Sequence, residues 1–97
     1  MKAVFISYNQ AFKDEILEIM YTAGVRGYTN WEVVSGRGTK TGEPHLGDHA
    51  WPTLNSAMIC FVEENISVDF MNRLKELDRN NPLMGLRAFR WEVDATI

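Results

Sequence analysis

His45 and His49 stand four residues apart, with Glu43 and Asp48 beside them. Two imidazoles and a carboxylate form the donor set of zinc and copper sites, so a divalent metal is one ligand this spacing could take. On a helix both rings would share a face. Gly47 between them and Pro52 beyond them argue against a stable helix there. The alternative is that the two rings hydrogen-bond locally and shape a loop. Just upstream, Gly36-Arg37-Gly38-Thr39-Lys40 has the composition of an anion cradle. Glycines let backbone amides approach a ligand, and two cations add charge-assisted bonds. No G-x-x-x-x-G-K-[ST] can be read from it, so it is not a Walker motif. The competing reading is a solvated arm. His45 or His49 could serve as a general base, but no serine or cysteine has a recognisable nucleophile setting, and no enzyme is expected.

Both groups fall in one stretch, Ser35–Asn55, reading SGRGTKTGEPHLGDHAWPTLN, which holds four of the seven glycines, two of the three prolines and both histidines. A structureless loop of about 20 residues is uncommon in a compact domain and is usually functional or disordered. A plain linker would not need its variety of charged and aromatic residues. Gly42, Glu43, His45, Asp48, His49 and Trp51 are therefore the candidate partner-binding residues. Trp51-Pro52 reads as the anchor of the loop's return.

The flanking segments read as regular elements. Lys2–Tyr8 is β-rich. Phe12, Ile16, Ile19, Met20 and Ala23 recur at helical spacing and predict a helix over Gln10–Ala23, stopped by Gly24. Tyr28–Val34 favours a strand through Tyr28, Trp31, Val33 and Val34. Met58–Val62 is a continuous apolar run, as expected of a central strand covered on both faces. Ser67 is placed to cap a second helix, with Asp69 in its first turn and an Ile66–Met71 staple. Met71, Leu74 and Leu77 mark that helix's inner face, and Asn80-Asn81-Pro82 ends it. Leu86–Val93 is the last strand, with Arg90 and Glu92 opposite in parity to Phe89 and Trp91. Arg73, Lys75, Glu76 and Asp78 read as an ordinary solvated helix face.

The order β-α-β, long loop, β-α-β is the split βαβ of an α+β, ferredoxin-like domain spanning residues 1–97. Four antiparallel strands would carry two helices on one face. Trp31, Phe89 and Trp91 are large for so small a sheet. Either they pack under the helices, or they lie on the other face and a contact between subunits buries them. A 97-residue domain keeps much of its surface wet, and an oligomer would help it. The net charge is −3, with no long basic stretch, so binding to nucleic acid is not expected. The single cysteine, Cys60, excludes an internal disulfide and lies in an apolar run, where a buried, inert thiol is expected. No apolar stretch reaches membrane-span length and no signal peptide is visible, so the chain reads as cytoplasmic, without membrane insertion.

Gly24-Val25-Arg26-Gly27-Tyr28-Thr29-Asn30-Trp31-Glu32-Val33, followed by Ser35-Gly36-Arg37-Gly38-Thr39-Lys40-Thr41-Gly42, resembles the PII nitrogen-regulatory signalling family. That family has a G-hydrophobic-x-G-hydrophobic-T turn into strand 2 and a G-R-x-K-G segment opening its long T-loop. Met1-Lys2 through Phe12-Lys13 and Arg87–Val93 are also similar. Gly42-Glu43-Pro44-His45-Leu46-Gly47 with His49-Ala50-Trp51-Pro52 looks more like the PII-like branch than the nitrogen regulators. The resemblance implies a ferredoxin-like homotrimer that binds an adenine nucleotide in clefts between subunits. It also implies a T-loop that grips a target, such as a membrane transporter or an enzyme. On this sequence the implied effector-binding residues are Thr29, Gly36, Arg37, Gly38, Lys40, Gly85 and Arg87. Three departures stand out. The family's glycine-rich phosphate loop is replaced by Asn81-Pro82-Leu83-Met84-Gly85-Leu86, with Arg87 where the family has a phosphate-binding lysine. The chain ends at Ile97, without the family's C-terminal arginines. The loop has neither the tyrosine of uridylylated relatives nor the glutamine that helps hold magnesium and an oxoacid, Thr39 standing nearest.

Overall fold

The computed structural model describes residues 1–36, 44 and 54–97. Strand β1 (Lys2–Asn9) runs into a short 3-10 turn, Gln10–Phe12, and then helix α1 (Lys13–Ala23). Strands β2 (Thr29–Val34) and β3 (Asn55–Val62) flank the long segment, and helix α2 (Glu64–Asn80) leads to β4 (Arg87–Glu92). The sheet order is β2-β3-β1-β4, with every neighbour antiparallel. This is the α+β, ferredoxin-like architecture expected from the element order.

Strand alternation divides the sheet into two faces. Val4, Ile6 and Tyr8 of β1 and Met58, Cys60 and Val62 of β3 point to the helices and form the core with Ile16, Met20, Phe70 and Leu74. The other face carries Phe5 paired with Ile59 and Phe89, and Ala3 paired with Phe61 and Trp91. Trp31 pairs with Ala57 on the same face. Phe61, Phe89, Trp31 and Trp91 are 52%, 57%, 46% and 46% exposed. The aromatics therefore do not pack under the helices, and β3 is covered on one face rather than two. Strand β3 also starts earlier than the apolar run Met58–Val62, with Asn55 and Ser56 as buried polar residues at its beginning.

Helix α1 ends where expected. Gly24 takes φ 93, a left-handed conformation that costs glycine little, and its N–H reaches the Met20 and Tyr21 carbonyls. The first turn of the expected helix, Gln10–Phe12, is a tighter 3-10 turn capped by the Asn9 side chain, which accepts from the Ala11 amide at 2.9 Å. Helix α2 departs from expectation at its start. It begins at Glu64 after Glu63, which makes no side-chain cap. Ser67 is not a cap but a buried residue inside the helix, its hydroxyl donating to the Glu64 carbonyl at 2.6 Å. Ile66 accordingly lies within the helix instead of preceding it, packed against the core. The end of α2 is as expected: the Asn81 N–H bonds the Asp78 carbonyl and its side chain bonds the Leu77 carbonyl.

Candidate functional site

The root of the long segment is built from both arms. Gly36 lies so close to Asn55 that an added Cβ would sit 3.0 Å from the Asn55 amide nitrogen, which explains a glycine there. Asn55 is buried and donates to the Ser7 hydroxyl at 3.3 Å. The β2–β3 register shifts between Trp31 and Val34, and Glu32 falls in that irregularity. A bulge leaves a carbonyl off the ladder and in need of other donors. The Glu32 carbonyl finds two: the Ser56 hydroxyl at 2.6 Å and the Gln10 side-chain amide at 2.9 Å. The Glu32 carboxylate accepts from Lys13 at 3.0 Å and from Asn30 at 3.2 Å. Glu32, in hydrogen-bonding Lys13, pushes the lysine's pKa up; burial pushes the Tyr8 phenol up. Tyr8 in turn donates to Asn30 at 3.4 Å.

This polar clamp of Tyr8, Gln10, Lys13, Asn30, Glu32 and Ser56 is not foreseen in the sequence. Apart from the Asn30–Glu32 bond, its contacts join residues 19 or more apart. The one signal present is the pair Asn30 and Glu32, two polar residues on one side of an otherwise aromatic and branched strand. On the opposite face, Phe5, Ser7, Trp31, Val34, Ser35 and Ala57 surround an open hollow of about 330 Å³ at the same root.

A second group lies at the start of β4. Gly85 has φ 77, which again favours glycine, and separates the buried Met84 and Leu86. Arg87 is exposed, and its guanidinium donates to the Leu86 carbonyl at 2.7 Å. Thr29 is exposed at the start of β2. Thr29 and Gly36 therefore belong to one edge of the sheet, while Gly85 and Arg87 belong to the other. Strands β3 and β1 lie between them. At ~4.8 Å per strand the two edges are about 14 Å apart. One chain does not bring the four residues together.

Arg37, Gly38, Lys40, Gly42, Glu43, His45, Asp48, His49 and Trp51 lie outside the described residues. Among the described residues no group of three or more His, Cys, Asp and Glu could hold a metal ion. Cys60 is buried, and burial pushes its thiol up to about 11, so the expected inert thiol is what the core contains. Among the described residues, no helix is long and apolar enough to cross a membrane.

Among solved structures, the chain is similar to CPII, a nitrogen-regulatory PII-like protein from Thiomonas intermedia bound to ADP, AMP and bicarbonate. The TM-score is 0.78 at 19% identity, over 95% of this chain and 84% of that one. CPII bound to ADP and bicarbonate gives 0.77 at 20% identity, with the same coverage. A protein of Thermus thermophilus described as a PII-like signalling protein gives 0.68 at 22% identity, over 95% of this chain and 85% of that one. The chain thus has the fold of PII-like proteins. By sequence, no protein-family model and no curated protein matches it.

Proposed function

We propose that this chain is a divergent PII-like regulatory protein of the cytoplasm, a homotrimer that binds an adenine nucleotide between subunits and controls a partner through segment 35–55. The observation that carries the reading is the division of the candidate effector residues between the two sheet edges. Thr29 and Gly36, at the two ends of β2 in one protomer, and Gly85 and Arg87, at the start of β4 in another, would meet where the open sheet faces of neighbouring protomers pack and bring those two edges together. The exposed aromatics Trp31, Phe61, Phe89 and Trp91 favour such an assembly, because a patch of that kind is uncommon on a lone soluble domain. That CPII is described as bound to ADP and AMP supports an adenine nucleotide as the effector, and its bicarbonate makes that anion a second compound to test.

The reading has no place for catalysis. Arg87 and Gly85 would hold phosphate by charge-assisted and backbone bonds, and Gly36 would let the loop root come close to the ligand. The clamp around Glu32 fixes the direction in which β2 delivers the chain to Arg37 and Lys40. Ligand contact at those two cations would then bias the order of the loop, and with it the grip on a transporter or enzyme. With one glycine left before β4, the affinity is expected to be lower than in the nitrogen regulators. Light scattering combined with a thermal-shift panel of ATP, ADP, AMP and bicarbonate tests the reading. A ligand that binds only the folded state raises the melting temperature by mass action. A monomer at micromolar concentration sinks the inter-subunit site. No shift with any nucleotide at millimolar concentration removes the effector.

A further inference from the structure

Apart from Arg37 and Lys40, every lysine and arginine of the chain lies among the described residues. Lys2, Lys13, Arg73, Arg79 and Arg90 are ion-paired. Arg26 stacks on the Tyr21 ring at 4.9 Å from its centroid and donates to the Tyr21 carbonyl. Lys75 and Arg87 alone have neither an ion pair nor a ring partner among the described residues. They come from different elements and line the same hollow, a depression of about 180 Å³ between α2 and β4. Its floor is apolar, from Met71, Leu74, Leu86 and Ala88, and Asp78 completes the rim. The Leu86 carbonyl uses one of the five Arg87 donors and holds the guanidinium beside the hollow. The other donors remain available.

We propose that Lys75 is a second phosphate-binding cation of the effector site, acting with Arg87 across the α2–β4 hollow. The inference rests on the effector reading above and adds to it a residue on a helix, outside the loop and the strand ends. The chemistry is that of a phosphoryl group. Arg87 offers a planar fork and Lys75 a compact charge, and the apolar floor lowers the local dielectric beneath both. The volume equals about six waters, enough for a phosphoryl group with some water and too small for a whole nucleotide. The rest of the nucleotide would lie along the sheet edge, toward the neighbouring protomer. Asp78 opposes the anion, so the rim carries a net single positive charge, and this sets the sign of one test.

Calorimetric titration of ADP and of pyrophosphate into the full chain and into Lys75→Gln, Arg87→Gln and Asp78→Asn tests the inference. Lys75 is exposed, so its variant folds, and circular dichroism checks this. Lys75→Gln should weaken both ligands about threefold to tenfold, and Arg87→Gln by at least as much. Asp78→Asn should strengthen both by roughly twofold to fivefold, since a nearby like charge is removed. If ADP binds the parent and Lys75→Gln leaves the isotherm unchanged, the Lys75 assignment is overturned and the nucleotide reading stands. If ADP does not bind but pyrophosphate does, and loses affinity in Lys75→Gln, the hollow is an anion site and the nucleotide reading fails. If neither ligand binds the parent, both are overturned.

Discussion

Both faces of this sheet are rich in apolar side chains, and α1 and α2 cover one of them. On the covered face Val4, Ile6, Tyr8, Met58 and Cys60 are at most 1% exposed. On the other, Phe61 and Phe89 are more than half exposed, although each lies one residue from a buried or helix-facing neighbour. Most of the charged residues of the strands nevertheless share the helix-facing side, Arg87 being the exception. Lys2, Arg90 and Glu92 share the helix-facing parity and form an ion-pair network with Glu64 at one end of that face. Lys13 and Glu32 form an ion pair at the other end. The covered face is thus an apolar centre bounded by ion pairs, and the open face is aromatic across to the β4 edge. Fully burying such a side chain contributes about 1.5–3 kcal/mol, and each of these aromatics, about half exposed, forgoes roughly half of that. Only one of the two faces is finished by the chain itself.

The largest effect should come from the covered face. Phe70 projects from α2 and is fully buried. Phe70→Ala should destabilise the protomer by about 3–5 kcal/mol, the transfer and cavity contributions combined. Urea denaturation measures it. A loss below about 1 kcal/mol would mean that the helix layer is loosely packed and that the contrast between the faces is weaker than the burial implies.

Next comes the open face. Phe89→Ser should leave the protomer's own stability within about 0.5 kcal/mol, as for a surface substitution. If another copy covers this face, the same change should weaken assembly by roughly half of the ~1.5–3 kcal/mol of full burial for each protomer. Sedimentation across a concentration series separates the two. Destabilisation of the protomer without any change in assembly would place the function of Phe89 inside the fold.

How far this contrast could be read from the sequence depends on the residue. Gly24 was legible as a helix stop because it follows a clean 3.6-residue pattern and only glycine takes φ 93 easily. The element order, and with it the ferredoxin-like topology, was legible because the apolar runs are separated by strong turn residues. The sequence did not say which face of β4 meets the helices. Alternation sorts Phe89 and Trp91 from Arg90 and Glu92, but it does not say which set points inward. Here the charged set does, because Arg90 finds Glu64 and Ser67 on α2 and Glu92 finds Lys2 on β1. Ser67 misled for a related reason. A serine before Asp69 has the composition of a cap, yet the hydroxyl can equally bond back to the helix carbonyl three residues earlier. Of the candidate site, Gly36, Gly85 and Thr29 were chosen from the family-like turns, and the structure shows only that they lie at the two sheet edges. The Glu32 clamp was not legible, because most of its contacts join residues distant in sequence.

A smaller effect tests the cover from its end. Gly24→Ala meets no obstacle, since its Cβ would lie 3.9 Å from Ile66 Cδ1, an ordinary contact. The strain comes from φ alone, and should cost about 1–2 kcal/mol. Thermal unfolding measures it. A neutral result would mean that the α1 terminus relaxes without disturbing the packing beneath it, so that the covered face tolerates more than its burial suggests.

The smallest effect concerns the ion pairs that bound the covered face. Arg90, in hydrogen-bonding Glu64, holds that carboxyl below its usual value of 4.5, with Lys2 adding to the effect. Lys2, in hydrogen-bonding Glu92, does the same for Glu92, and Glu92 raises Lys2 above 10.5 in return. Both carboxylates have a lower pKa in the folded chain than in the unfolded one. Between the two values the unfolded state binds more protons, so stability rises with pH. Their contribution is fully present above about 4.5 and is lost as pH falls through the depressed folded values. Lys2 has the opposite sign: its contribution is present below 10.5 and is lost as pH rises through its raised folded value. All three groups lie at the protein surface, so salt should weaken both effects. Urea midpoints followed from neutral pH downward should fall in the parent and fall less in the Glu64→Gln, Glu92→Gln double variant. Added salt should narrow the gap between the two. An acid limb identical in parent and variant would show that these pairs contribute nothing measurable, and that apolar contact alone holds the covered face together.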